Sequence, residues 1–427
     1  MPLALETGLH VGDEYAIALL FGGFALFVAI GALSHQEERA WSAAVIYLGL
    51  GLLAAVGFHV LDVAPLSPLE GSRIPERISE LAILLAVFTA GLSIEKLVSA
   101  RQWRSVAVLL LLVMPLTIGA IALFASTAMG LSFGAALLLG AILAPTDPVL
   151  AGDVGLGPPG EHQEASDPQF SLHTEAGLND GLAAPFVLAG VLIATEGGTG
   201  WIGEWLLTDV LYGLAVAAAV GAAAGWGIGA AVVRLRDRRL LSHDFDAFVA
   251  LAAVLLVYGA VEALGAYGFL AVFWAGFAFR RYEHEHELNR RVHDGADEYA
   301  KLLELGAILV LGSIVTLDGL AEPGVAGWLL APLLLLLIRP AIVLPLSFGS
   351  LLGWPQRLFL AWFGVRGIAA VFYAAYVAHT GALSEGETAT VFWTAVVVVI
   401  VSIVVHGVSG GPLTRRLPGR APSRSPS

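Results

Sequence analysis

The sequence predicts an all-α integral membrane protein of about thirteen transmembrane helices, built as an inverted repeat with two broken helices. Three observations carry that prediction. Hydrophobic residues make up 57% of the 427 and charged residues 13%, with a mean hydropathy of +0.81, a balance far from that of water-soluble domains. The apolar residues fall in blocks of roughly 20, enough helix to cross about 30 Å of hydrocarbon. Lys and Arg are sorted between alternate loops.

The candidate spans are 14–33, 43–60, 78–98, 105–125, 132–152, 169–195, 207–232, 246–264, 266–280, 301–317, 325–347, 355–378 and 389–408. The acidic start (Glu6, Asp13, Glu14) lacks the basic flank of a cleaved signal peptide, so the first block is expected to be retained. With loops assigned alternately, eighteen of the 22 Lys and Arg fall on one side, Arg73 and Arg77 on the other, and Arg339 and Arg366 inside spans. Positive charge marks short cytoplasmic loops. The expectation is therefore a multi-pass protein of the cell (inner) membrane, with its N-terminus outside and its C-terminus in the cytoplasm.

Composition also excludes functions. Cysteine is absent, which removes disulfides, thiolate metal sites and thiol nucleophiles. A net charge of −13 argues against nucleic acid as a partner. No HExxH is present, so that metal-hydrolase motif offers nothing to a membrane-embedded enzyme.

Two spans carry breaks. The fifth holds Ala144-Pro145-Thr146-Asp147-Pro148 and the twelfth Gly364-Val365-Arg366-Gly367. They lie seven spans apart, the offset of two inverted halves joined by the seventh span, although hydropathy and spacing rather than a residue-level repeat support it. Discontinuous helices at matching places in two halves point to a transport site near the membrane midplane. Each proline lacks an N–H and pushes the residue before it out of helical geometry, so the chain should open around Asp147. Half-helix N-termini at such a break favour an ionised Asp147. The alternative is a span that ends early, with Asp147 as an N-cap in a polar loop.

An ionisable group near the bilayer centre is a functional candidate by default, and the candidates are Asp147, Glu175, Asp180, Glu262, Arg339 and Arg366. Glu95, Lys96, Arg280 and Lys301 lie near span ends and are discounted as snorkelling groups. In the segment from His173 to Gly181, Glu175 and Asn179 share a helical face while Asp180 turns about 100° away. A desolvated Asp180 can hold either a proton or a small cation, with the Asn179 amide oxygen as a neutral ligand. The bland reading is a polar helix start buried against a neighbour. Arg366 needs a carboxylate, and Glu175 is the partner expected for it in a structural ion pair. His284 and His286 diverge in a helix and suit a solvated linker better than a metal site.

Together the Thr146-Asp147-Pro148 break, the Glu175–Asp180 segment, the Gly-Val-Arg-Gly run and the stretch EALGAYGFLAVFWAG at 262–276 resemble the NhaP-type branch of the monovalent cation:proton antiporters, relatives of the eukaryotic sodium/proton exchangers. The resemblance runs over nearly all the chain. It implies a homodimer with dimerisation helices in 1–104 and 196–317, a mobile core in 105–195 and 318–411, and a short basic cytoplasmic tail at 412–427. It implies that Asp180 carries ion and proton, that Thr146, Asp147 and Asn179 help line the site with Na⁺ at Asp180 and Asp147, and that Glu175 pairs with Arg366. Two positions depart from the pattern. Where relatives carry an acidic residue in the third span this chain has Thr89, whose hydroxyl is a candidate ligand, and where a hydroxyl residue follows the glutamate it has Ala176.

The function expected is exchange of cytoplasmic Na⁺ for external H⁺, electroneutral at one for one, serving sodium transport and pH homeostasis, with no cofactor beyond the transported ions. A K⁺/H⁺ antiporter, a Na⁺-coupled symporter and an ion channel are the alternatives.

Overall fold

The computed structural model describes residues 22–28, 30–31, 43–61, 67–94, 100–147, 167–242, 245–282, 288–347 and 353–414. His284, His286, Pro148 and most of the basic tail lie outside them. The described residues are helical throughout: α1 (Ala43–Leu61), α2 (Ile74–Leu92), α3 (Ala100–Val108), α4 (Met114–Ala128), α5 (Phe133–Leu143), α6 (Asp167–Thr195), α7 (Gly213–Asp237), α8 (Asp246–Glu262), α9 (Gly268–Tyr282), α10 (Leu288–Ser313), α11 (Gly324–Leu333), α12 (Arg339–Leu346), α13 (Trp354–Trp362), α14 (Ile368–Thr380) and α15 (Glu385–Thr414), with short helical turns between some of them. Helical residues fall inside every predicted span, the first being helical at 22–28 and 30–31.

Six described helices are long and apolar enough to cross a membrane: Ala43–Val60, Gln102–Ala128, Pro168–Thr195, Ile202–Asp237, Gly324–Leu346 and Glu385–Ser409. Phe133–Leu143 and Ile368–Thr380 are apolar but shorter. Leu111, Leu207, Leu256, Val325 and Leu337 are exposed on the outer surface, where lipid tails take the place of water. The protein is a multi-pass membrane protein.

Among the described residues three helices widen into π turns, at Leu109–Val113, Leu206–Tyr212 and Leu334–Ile338. The first and last share a cause. Leu109 to Pro115 reads LLLLVMP and Leu334 to Pro340 reads LLLLIRP, and a proline in mid-helix clashes with the preceding turn, which a π turn relieves by inserting a residue. These are the fourth and eleventh predicted spans, seven apart, so the repeat leaves a residue-level trace after all.

Packing falls into two neighbourhoods. α9 lies against α7 and α2, and α10 against α1, α2 and α8; elsewhere α5 lies between α4 and α6, and α14 against α15. Small residues let the first group approach at backbone distance. A Cβ on Gly91 or Gly276 would strike the carbonyl of Phe273 or Phe88 where α2 crosses α9, and Gly221 and Gly225 of α7 press on Ala271 and Ala275 of α9. α14 also packs on α2 and so joins the two neighbourhoods.

Candidate ion-binding site

The site forms where the C-terminal end of α5 meets the break between α13 and α14. Ser132 caps the start of α5 through the Ala135 N–H, at 3.4 Å. α5 ends at Leu143, and Pro145, Thr146 and Asp147 continue without helical structure. In the opposite half α13 ends at Trp362, residues 363–367 are non-helical, and α14 begins at Ile368.

The two openings lock together by exchanging caps. The Asp147 N–H donates to the Val365 carbonyl at 2.9 Å, and the Ile368 N–H donates to Asp147 Oδ2 at 3.2 Å. Asp147 thus caps the N-terminus of α14, where unsatisfied N–H groups and the helix dipole favour a carboxylate. It is not the N-cap in a polar loop of the alternative reading, because it is buried and caps a helix more than two hundred residues away in the chain. Gly367 is required for this approach, because a Cβ there would overlap the Asp147 carboxylate. Arg366 does the converse: its Nη1 donates to the carbonyls of Ala144 and Pro145, freed where α5 stops. The Arg366 N–H donates to Ser402 Oγ of α15 at 2.7 Å, and His406 Nε2 lies 3.1 Å from the Trp362 carbonyl at the end of α13.

The expected Glu175–Arg366 pair is corrected. Arg339 makes the ion pair with Glu175, in a bidentate arrangement at 3.1 and 2.9 Å, with both side chains 3% exposed. Arg339 follows the π turn directly, at the first residue of α12, and its guanidinium fills the space that a Cβ on Gly364 would need. The fork of a guanidinium matches a carboxylate edge. Arg366 is left to the helix-end carbonyls.

Asn179 and Asp180 reach the crossing from the middle of α6. Asn179 Nδ2 donates to Thr146 Oγ1 at 2.8 Å, and Tyr373 of α14 donates through its hydroxyl to the Asp180 main-chain carbonyl at 2.5 Å. Asn179 and Asp180 are 1% and 2% exposed, and Asn179 Oδ1 and Asp180 Oδ1 have no hydrogen-bond partner. Buried acceptor oxygens without donors on two consecutive residues suit a small cation, or a proton on the carboxylate. The Asn179–Thr146 hydrogen bond thus joins the segment that carries Asp180 to the one that carries Asp147. Thr89 is not joined to them by a hydrogen bond; its hydroxyl donates to the Leu85 carbonyl of its own helix at 2.8 Å.

A cavity of about 450 Å³ leads from the surface to Gly181, next to Asp180. Among its lining residues are Glu76, Glu80, Tyr258, Glu262, Tyr373 and His379. His379 Nδ1 lies 2.7 Å from Glu76 Oε2, and Arg77 pairs with Glu80 at 2.7 Å. Sequence reasoning missed Glu76, Glu80 and His379. Both glutamates are buried, which their place at the head of a predicted span did not signal.

A broken helix, a helix end that exchanges caps with it and a buried carboxylate next to an amide in the chain define a membrane transporter of the inverted-repeat kind. A family model described as sodium/hydrogen exchanger, transmembrane, matches residues 17–416, and the chain belongs to that family, one of transporters and not of enzymes. It is 29% identical over 391 residues to Na(+)/H(+) antiporter 2 of Zygosaccharomyces rouxii, covering 86% of this chain and 46% of that one. It is 29% identical over 357 residues to K(+)/H(+) antiporter NhaP of Alkalimonas amylolytica, covering 82% of this chain and 58% of that one. The chain spans about half the length of these relatives. Its fold matches that of the sodium proton antiporter MjNhaP1 from Methanocaldococcus jannaschii with a TM-score of 0.77 at 17% identity, over 97% of this chain and 100% of that one. A second structure of MjNhaP1, at pH 8, matches with a TM-score of 0.69 at 17% identity, over 92% of this chain and 100% of that one. The resemblance to the NhaP-type branch holds.

Proposed function

We propose that the protein exchanges Na⁺ for H⁺ one for one at Asp180 by alternating access, as a homodimer of thirteen-span protomers with outer N-termini and cytoplasmic C-termini. The observation that carries the reading is the pair of donorless, buried oxygens on Asn179 and Asp180. Asp147 is committed to capping α14 and Glu175 to Arg339, and Asn179 takes no proton. Asp180 alone is left to trade one. A Na⁺ ion arriving at Asp180 displaces its proton, drawing on the carboxylate, the Asn179 amide oxygen and the Thr146 hydroxyl; the proton returns on the other side.

The division into a mobile core (105–195 and 318–411) and a dimerisation unit (1–104 and 196–317) is supported by the two packing neighbourhoods. Glu175–Arg339 joins α6 to α12 within the proposed core, so it can travel with Asp180 as a rigid part. Cysteines introduced at the two ends of this cysteine-free chain and probed with an impermeant thiol reagent should report opposite sides; labelling from one side only would refute the orientation.

A K⁺/H⁺ antiporter is the second reading, favoured by the likeness to the K(+)/H(+) antiporter NhaP of Alkalimonas amylolytica. Purified protein in vesicles carrying a pH gradient decides between them when Na⁺, Li⁺ and K⁺ are added in turn. Collapse of the gradient by Na⁺ and not by K⁺ is expected. Response to K⁺ alone would replace the Na⁺ assignment, and response to none would end the antiport reading.

A further inference from the structure

The buried carboxylate of Glu304 has no part in the mechanism above. On α10, Asp297, Lys301 and Glu304 are spaced by four and then three residues and share one helical face. Burial increases along that face. The Asp297 and Lys301 side chains are 34% and 41% exposed and form an ion pair at 2.6 Å. One turn further, Glu304 is 3% exposed and its Oε1 has no hydrogen-bond partner.

α10 packs against α14, whose N-terminus Asp147 caps. Asp297 lies within electrostatic reach of His173, which is two residues before Glu175 on α6, and Glu304 lies within reach of Asp147, which in turn acts on Asp180. The open cavity reaches Gly181, next to Asp180, from elsewhere, and no residue of α10 lines it. A lone carboxylate costs free energy to bury, and this one lies one helical turn inward from a solvated ion pair.

We infer that Glu304 is a relay carboxylate, holding in turn the monovalent cation and the proton on the approach to Asp180 opposite the open cavity. The inference rests on the antiport reading of Asp180. Glu304 sits on a helix of the proposed dimerisation unit, so it does not move with Asp180; it serves Asp180 when the core faces α10 and is idle when the core faces the cavity. Its effect is therefore one-sided.

Right-side-out and inside-out vesicles from cells expressing the full chain test this, with Na⁺ titrated on one face at a time and initial proton flux recorded. E304Q should raise half-saturating Na⁺ about tenfold on the α10 face and less than about twofold on the cavity face, and E304D should restore it to within about threefold of wild type. Equal curves for E304Q and wild type on both faces, or equal rises on both faces, would overturn the relay. Should E304Q fail to fold, D297N at the exposed end carries the test. A rise of about threefold confined to the α10 face supports the relay, and no one-sided rise overturns it. Wild-type vesicles that exchange no cation would remove the antiport reading and this inference with it.

Discussion

Asp180→Asn should yield a folded protein that exchanges nothing. The substitution keeps the shape and an oxygen but removes, among the described residues of the crossing, the carboxylate that has no cap or ion pair to hold, since Asp147 accepts from Ile368 and Glu175 accepts from Arg339. An unpartnered buried carboxylate is also a burden on stability, so the variant should melt no lower than wild type. Cation-driven proton flux in vesicles should fall to that of protein-free vesicles. Flux above that background, from a protein that melts normally, would move the exchanging role elsewhere.

Arg339→Ala should have the largest effect on stability. It strips both hydrogen bonds from Glu175 and leaves that carboxylate 2% exposed among apolar helices. Breaking one side of a buried pair costs about 3–5 kcal/mol. The variant should give a low yield and a clearly lower melting temperature in detergent, while Arg339→Lys, a point charge without the fork, should fall between. A stable Arg339→Ala would show that Glu175 is satisfied without its partner.

Much of this was legible in the sequence, because lipid imposes a simple rule. A span must be long and apolar, so the blocks mark the helices, and two prolines around Asp147 mark a break because they cannot continue one. Asn179 and Asp180 were legible as charge and amide where neither is cheap to bury. What failed was the choice of Arg366 over Arg339. Both lie in predicted spans, and spacing cannot rank them when a π turn, as at Leu334–Ile338, shifts the helical register just before Arg339. Glu76, Glu80 and Glu304 were missed for another reason. They lie in or beside the first turns of predicted spans, where long Lys and Arg stems snorkel to water, but a glutamate has a shorter reach and stays buried at the same depth.

The most direct test of a single exchanging carboxylate is the Na⁺ gradient reached at equilibrium, measured in vesicles at fixed pH gradient while K⁺ and valinomycin set the voltage, once K⁺ is known not to be carried. One-for-one exchange moves no net charge, so the Na⁺ ratio should equal the proton ratio at every voltage. A second proton per cycle would shift the Na⁺ ratio by a factor of ten for about every 60 mV. A voltage-independent ratio is the result predicted; a shift of that size would mean that another carboxylate trades protons alongside Asp180, and would contradict the mechanism.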